Sequence, residues 1–184
     1  MSEIVYVDML DSPSYNAAVA MTGMGIMSGQ RLGDGMYFNP DDGVTRAEFV
    51  AMAMKAAGQR ADKTLTESFF DDDASIPKAL VSYVATAQKR GIINGSFDGK
   101  GLNFRPNDII TRYEAAIIMA NLLKDGEISV SALVDTSSEA PVFARAHWTL
   151  MCEEGIFDKD TVGAREQVSR EDASEYLYRL SMIK

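Results

Sequence analysis

Apolar residues recur at helical spacing along this chain in six stretches that fall into three pairs. The first member of each pair carries Ala17, Ala18 and Met21, then Leu80, Tyr83, Val84 and Ala87, then Phe143, His147, Trp148 and Met151. The second member carries Phe49, Met52, Ala53 and Ala56, then Ala115, Ile118, Met119 and Leu122, then Ala173, Tyr176, Leu177 and Leu180. Spacings of three and four place each set on one helix face. The first helices run into Gly25, Gly91 and Gly155, where a helix C-terminal glycine belongs because positive φ costs it little. The second helices begin behind Thr45, Thr111 and Ser169, with Glu48, Glu114 and Asp172 three residues on, which predicts capping boxes, the third with Asp as a variant.

These pairs belong to an internal repeat. Copy one holds Tyr6-Val7-Asp8, Gly25-Ile26-Met27-Ser28-Gly29, Phe38-Asn39-Pro40 and Val44-Thr45-Arg46-Ala47-Glu48. Copy two holds Phe70-Asp71-Asp72, Gly91-Ile92-Ile93-Asn94-Gly95, Phe104-Arg105-Pro106 and Ile110-Thr111-Arg112-Tyr113-Glu114. Copy three holds Leu133-Val134-Asp135, Gly155-Ile156-Phe157-Asp158 and Val168-Ser169-Arg170-Glu171-Asp172. The glycine-to-cap distance is 20 residues in the first two copies and 14 in the third, which lacks Phe-x-Pro and the second glycine. Turn-rich stretches at 31–35 and 96–100 read as loops or short hairpins. The polar segments 59–66 and 125–130 read as linkers. The repeats are therefore expected at 1–58, 59–126 and 127–184, together one composite domain. One such helix cannot bury its stripe alone, whereas three equivalent helices can pack together. That predicts a mainly α fold around a central three-helix bundle of approximate threefold symmetry.

Composition narrows the function. The chain has 184 residues, 46% hydrophobic and 24% charged, with a formal net charge of −9. That is globular, and it argues against general nucleic-acid binding and against docking on anionic membranes. A lone cysteine, Cys152, permits no internal disulfide, and no apolar run reaches membrane-spanning length. The N-terminus, Met1 to Val5, lacks the basic and apolar regions of a signal peptide.

Chemistry concentrates on three arginines. Arg46, Arg112 and Arg170 occupy the first helical position, where a cation faces the positive end of the helix dipole. One reading has each pair with a carboxylate such as Asp8, Asp72 or Asp135 and pin neighbouring repeats. The other combines the guanidinium with helix N-terminal N–H groups into a carboxylate or phosphate site. The two are compatible. The aspartates read first as helix-entry caps or turn residues and second as groove-wall groups, and Phe38 and Phe104 as wedges under their loops. His147 and Cys152 are five residues apart, about 140° around a helix, so they share no face for a catalytic pair or zinc site. An EF-hand loop counted from Asp158 ends on Ser169 where a bidentate Glu is required. No G-x-S-x-G, H-E-x-x-H, P-loop or dinucleotide motif is present. No catalytic residue, metal or cofactor is expected.

The order apolar-x-Asp, helix, Gly-Ile-x-x-Gly, Phe-x-Pro, hydrophobic-Thr-Arg-x-Glu resembles the S-layer homology repeat. Three copies cover nearly the whole chain, and Thr45-Arg46-Ala47-Glu48 matches its hallmark. The resemblance implies a pseudo-threefold spindle with one helix per repeat in the bundle and three prongs of shorter helices and loops. It implies grooves between prongs that bind secondary cell-wall polysaccharide, commonly through a pyruvylated aminosugar, and hence a non-catalytic anchor outside a bacterial cell whose signal peptide has been removed. Carried onto this chain, the binding residues are Arg46, Arg112 and Arg170, Asp8, Asp72 and Asp135, and Gly29 and Gly95. The Trp that often precedes the family's first helix is replaced by Pro13, Ala79 and Phe143, and at most two good grooves are expected. The alternative is an assembly scaffold of the same fold without glycan affinity, and self-assembly with other surface proteins is a further expectation.

Overall fold

The computed structural model describes residues 4–124, 139–158 and 163–183. Each copy contributes an outer and a central helix: α1 (Tyr15–Gly23) and α2 (Arg46–Ala56), α3 (Val81–Lys89) and α4 (Arg112–Leu123), α5 (Arg145–Glu153) and α6 (Arg170–Met182). Between helices of the first two copies lie antiparallel hairpins, β1 (Gln30–Leu32) with β2 (Gly35–Tyr37) and β3 (Ser96–Phe97) with β4 (Leu102–Asn103). The linker 125–130 and the third opening signal with Asp135 lie outside the described residues.

The helix ends follow from the residues already singled out. Gly25, Gly91 and Gly155 stand at φ 67°, 70° and 70°. Their N–H groups reach back three residues while the following isoleucine reaches back five, for example Ile92 N–H to Ala87 O at 2.9 Å. This is the Schellman pattern, repeated three times, and it turns each buried isoleucine onto its own helix. At the other end, the backbone N–H groups of Thr45, Thr111 and Ser169 donate to Glu48, Glu114 and Asp172 at 3.0, 3.0 and 3.3 Å.

What joins the copies is a closed ring of backbone. Val44 N–H donates to Val168 O, Val168 N–H to Ile110 O, and Ile110 N–H to Val44 O, at 3.1, 2.8 and 2.9 Å. The segments entering α2, α4 and α6 thus bridge one another around the pseudo-threefold axis. Below the ring α2 packs on both α4 and α6, and Phe49, Met54, Met119, Ala173 and Leu177 are fully buried. Each outer helix packs against the central helix of the preceding copy: α3 on α2, α5 on α4, and α1 on α6. The prongs are therefore shared between copies.

The third copy lacks Phe-x-Pro in sequence but keeps its backbone. Asn39 and Arg105, the middle residues of that element, stand at φ 55° and 57°. Gly163 stands at 75° in the matching place, and Ala164 O accepts from Tyr113 N–H as Pro106 O accepts from Ala47 N–H. A glycine adopts this left-handed backbone without the steric support the other copies need.

Candidate functional site

The three arginines reach across copy boundaries in one direction. Arg46 donates from Nε to Phe104 O at 2.8 Å, pairs with Glu114 at 2.8 Å, and lies over the Phe104 ring at 5.0 Å. Arg170 donates from Nε to Phe38 O at 2.8 Å and from a terminal nitrogen to Ser28 O at 2.7 Å, over the Phe38 ring at 4.7 Å. The third copy offers no phenylalanine in that place, and Arg112 meets Glu166 at 2.5 Å and Asp172 at 3.4 Å. Each arginine thus pins its own central helix to the next copy, and the acids Arg46 and Arg112 use include capping-box residues, not Asp8 or Asp72. The unfavourable dipole placement is offset by these contacts and by the cation–π geometry.

Helix N-terminal N–H groups take no part in an anion site, which corrects one of the two readings. Arg46 and Ala47 donate to Asp108 O and Pro106 O, Arg112 and Tyr113 to Glu166 O and Ala164 O, and Arg170 and Glu171 to Asp42 O and Pro40 O. Carbonyls of the neighbouring copy thereby consume the donors that an isolated helix would present to a ligand.

The aspartates are clamps for the Phe-x-Pro loops, not helix caps. Asp8 accepts from Phe38 and Asn39 N–H at 2.9 and 2.7 Å, and Asp72 accepts from Phe104 and Arg105 N–H at 2.9 and 2.6 Å. Two consecutive N–H groups form a small anion nest, and the chain's own carboxylate fills it. The aromatic two residues earlier packs on the loop's buried phenylalanine, Tyr6 on Phe38 and Phe70 on Phe104, with ring centroids 5.2 and 5.3 Å apart. Gly29 and Gly95 lie where a side chain would strike those same aromatics and the carbonyls of Tyr37 and Asn103. They set the close approach of loop to hairpin.

Between the second and third copies these elements enclose a cleft of about 770 Å³, within the size of a small-ligand pocket. The Gly91–Ser96 loop and α4 form one side, and Val142, Phe143 and His147 the other. Arg46, Arg105 and Glu114 lie together on its wall. Arg46 and Arg105 both approach Oε1 of Glu114, at 2.8 and 3.4 Å, while Oε2 holds the Thr111 N–H and hydroxyl. Burial pulls Arg46 below the ordinary guanidinium value, against the pull of Glu114 in the other direction. Burial also lowers His147, with the Phe143 carbonyl opposing, which favours the neutral imidazole. Phe143 meets Tyr113 edge-on at 5.9 Å and remains 69% exposed, a free apolar face at the cleft mouth. Asn121 fixes the loop from within through Nδ2 to Ile92 O at 2.9 Å.

Of the residues expected from sequence, Arg46 and Gly95 line this cleft. Gly29 and Arg170 come together, through Ser28 O, in the matching place of the first copy. Asp8 and Asp72 lie behind the loops, and Asp135 falls outside the described residues. Arg105, Tyr113 and Asn121 were not anticipated as cleft residues. Only Arg105 had a local signal, as a cation inside Phe-x-Pro where copy one has Asn39.

The family model of the S-layer homology domain matches residues 6–50 and 69–116. Over 95 residues, 50% of its length, the chain is 38% identical to exoglucanase XynX of Acetivibrio thermocellus. Over 100 residues, 52% of its length, it is 39% identical to an amylopullulanase of Thermoanaerobacterium thermosulfurigenes. It spans 8% and 5% of the lengths of those two relatives.

Proposed function

Because the chain belongs to the S-layer homology family, whose members anchor proteins at the cell surface, we propose that it binds a pyruvylated wall polysaccharide in the clefts between its repeats. It is not itself an enzyme: it is built of S-layer homology repeats, and its likeness to two enzymes covers 8% and 5% of them. In this reading it holds a larger secreted protein non-covalently on the outside of a bacterial wall. Among the described residues no helix is long and apolar enough to cross a membrane.

The observation that carries the reading is the cleft between the second and third repeats. It sets guanidinium groups on one wall and the exposed Phe143 face on the other. A sugar presents an apolar ring face and polar edges, and a ketal-linked pyruvate adds a carboxylate. An aromatic wall opposite a cation matches both. The first repeat's Ser28–Gly29 loop holds Arg170 of the third repeat in the matching place, with Ala79 where the cleft has Phe143. There Arg170 has, among the described residues, carbonyl partners but no carboxylate. In this reading Arg46, Arg112 and Arg170 border the clefts, while Asp8, Asp72, Gly29 and Gly95 hold their loops in shape. Arg112 is occupied by Glu166 and Asp172, and the third copy has Gly163 where the second has the looser Arg105, which favours two working grooves over three. Weak binding in each becomes firm retention when one polymer engages both.

Sedimentation with purified bacterial sacculi, before and after acid stripping of secondary wall polymers, tests this. Co-sedimentation that disappears on stripping is expected. Failure to bind native walls would overturn the reading in favour of an assembly scaffold.

A further inference from the structure

The arginine at the hallmark position of the first repeat is poorly placed to receive a ligand's charge. Arg46 is 8% exposed, its Nε is committed to Phe104 O, and its charge is matched by Glu114 at 2.8 Å. Arg105 shares that carboxylate oxygen at a looser 3.4 Å and reaches Asp108 only at 3.8 Å, with half of its side chain in solvent. Glu114 is bonded tightly to Arg46, and the further carboxylate, Asp108, meets Arg105 only at 3.8 Å with its own side chain largely in solvent. Arg105 is thus the cleft-lining cation whose ion pairs are long and solvated.

We propose that Arg105 is the residue that receives the anionic group of the ligand in the cleft between the second and third repeats, and that Arg46 is a positioning residue there. The inference rests on the glycan-binding reading above and adds which cation reads the charge. The backbone supports the role. Arg105 stands at φ 57° with its N–H held by Asp72 at 2.6 Å, so its Cα is fixed at the rim while the guanidinium can turn from Glu114 toward a ligand. An incoming carboxylate replaces two long ion pairs by one bidentate contact. The equivalent positions are Asn39 in the first repeat and Gly163 in the third. Neither carries charge, so an anion at the first repeat's loop would meet Arg170 and no counterpart of Arg105.

The test is a nuclear magnetic resonance titration of the full, nitrogen-15-labelled chain. The probes are a wall disaccharide bearing a pyruvate ketal and the same disaccharide after mild acid has removed the ketal. Amides of Asn94, Gly95 and Ser96 report this cleft, and those of Ser28 and Gly29 report the groove beside Arg170. For the unaltered chain, the cleft amides should give a Kd about ten-fold lower for the ketal-bearing probe, the scale of one charge-assisted contact. Arg105→Gln should raise that Kd to the ketal-free value while leaving the Ser28 and Gly29 response and the melting temperature unchanged. Arg105→Lys should recover part of the preference. A ketal preference at Gly95 and Ser96 that survives Arg105→Gln overturns the assignment and leaves the glycan reading standing. If neither set of amides responds to either probe in the unaltered chain, both fail together.

Discussion

Arg46 and Arg105 approach the same oxygen of Glu114 from environments that differ mainly in water, and their removal should differ accordingly. Arg46→Ala strips a buried pair and leaves Glu114 and Phe104 O short of a donor, costing about 2–4 kcal/mol. Arg105→Ala removes two long, half-solvated pairs and should cost no more than about 0.5 kcal/mol. Urea unfolding of the two variants under one set of conditions checks the contrast, and equal losses would contradict it. Two other side chains contribute to the pH dependence with opposite signs. Tyr176, between Phe157 and the Arg112–Asp172 pair, has its phenol pushed up to about 12, chiefly by burial and then by Asp172, with Arg112 opposing. The unfolded chain releases that proton near pH 10. Its contribution to stability is therefore full below about pH 10 and is lost as pH rises toward 12. His147 has the opposite sign. Its folded value is lowered by burial, so the unfolded chain binds the proton first as pH falls below about 6.5. Its contribution is present above that value and lost on acidification. Midpoints of urea unfolding from pH 5 to 7 should slope less in His147→Gln than in the unaltered chain.

At the scale of the element, a helix–glycine–isoleucine unit is used three times with the same two hydrogen bonds. Gly91→Ala forces a Cβ into φ 70° although nothing lies within 4 Å of the space it would occupy. The loss is therefore backbone strain alone, about 1–2 kcal/mol, and Gly25→Ala and Gly155→Ala should match it. Gly95→Ala is different in kind. Its φ is not positive, but a methyl there would lie 2.8 Å from Phe70 and 2.9 Å from Asn103 O. It should displace the β3–β4 hairpin and disturb the cleft, which Gly91→Ala should not. Melting temperatures together with amide spectra of the two variants separate strain from displacement, and an undisturbed cleft in Gly95→Ala would refute the distinction.

On the scale of the whole molecule the copies are not separable units. The backbone ring closes only when Val168 meets Val44 and Ile110, and α1 is covered by α6 from the far end of the chain. A chain ending at Lys124 removes the partners of Arg112 and the helix that packs on α4, and it uncovers the face of α1 that holds Ala18 and Met21. It should fail to give a cooperative thermal transition, whereas the full chain should show one transition with equal calorimetric and van't Hoff enthalpies. A cooperative transition in the shortened chain would show that the first two repeats suffice.

Much of this was legible in the residues because it is local. Helix stripes, Gly91 with its positive φ, the Thr45–Glu48 box and the repeat itself depend on neighbours within a few positions, where spacing and conformational preference leave few choices. Belonging to a repeat also made the spindle and its three central helices readable. The partners of the arginines were not readable, because Arg46 and Glu114, or Arg170 and Ser28, meet only when copies close on one another. The same closure spends the N-terminal N–H groups of α2, α4 and α6 on carbonyls of the next copy, so a helix end that looks like an anion site in isolation is already satisfied. It also hid Arg105, whose proposed role rests on sharing Glu114 with a buried neighbour 59 positions away. The chain's order determined which elements form and how often; burial and competition for a limited set of hydrogen-bond partners, settled only in three dimensions, decided which of its cations remain free to act.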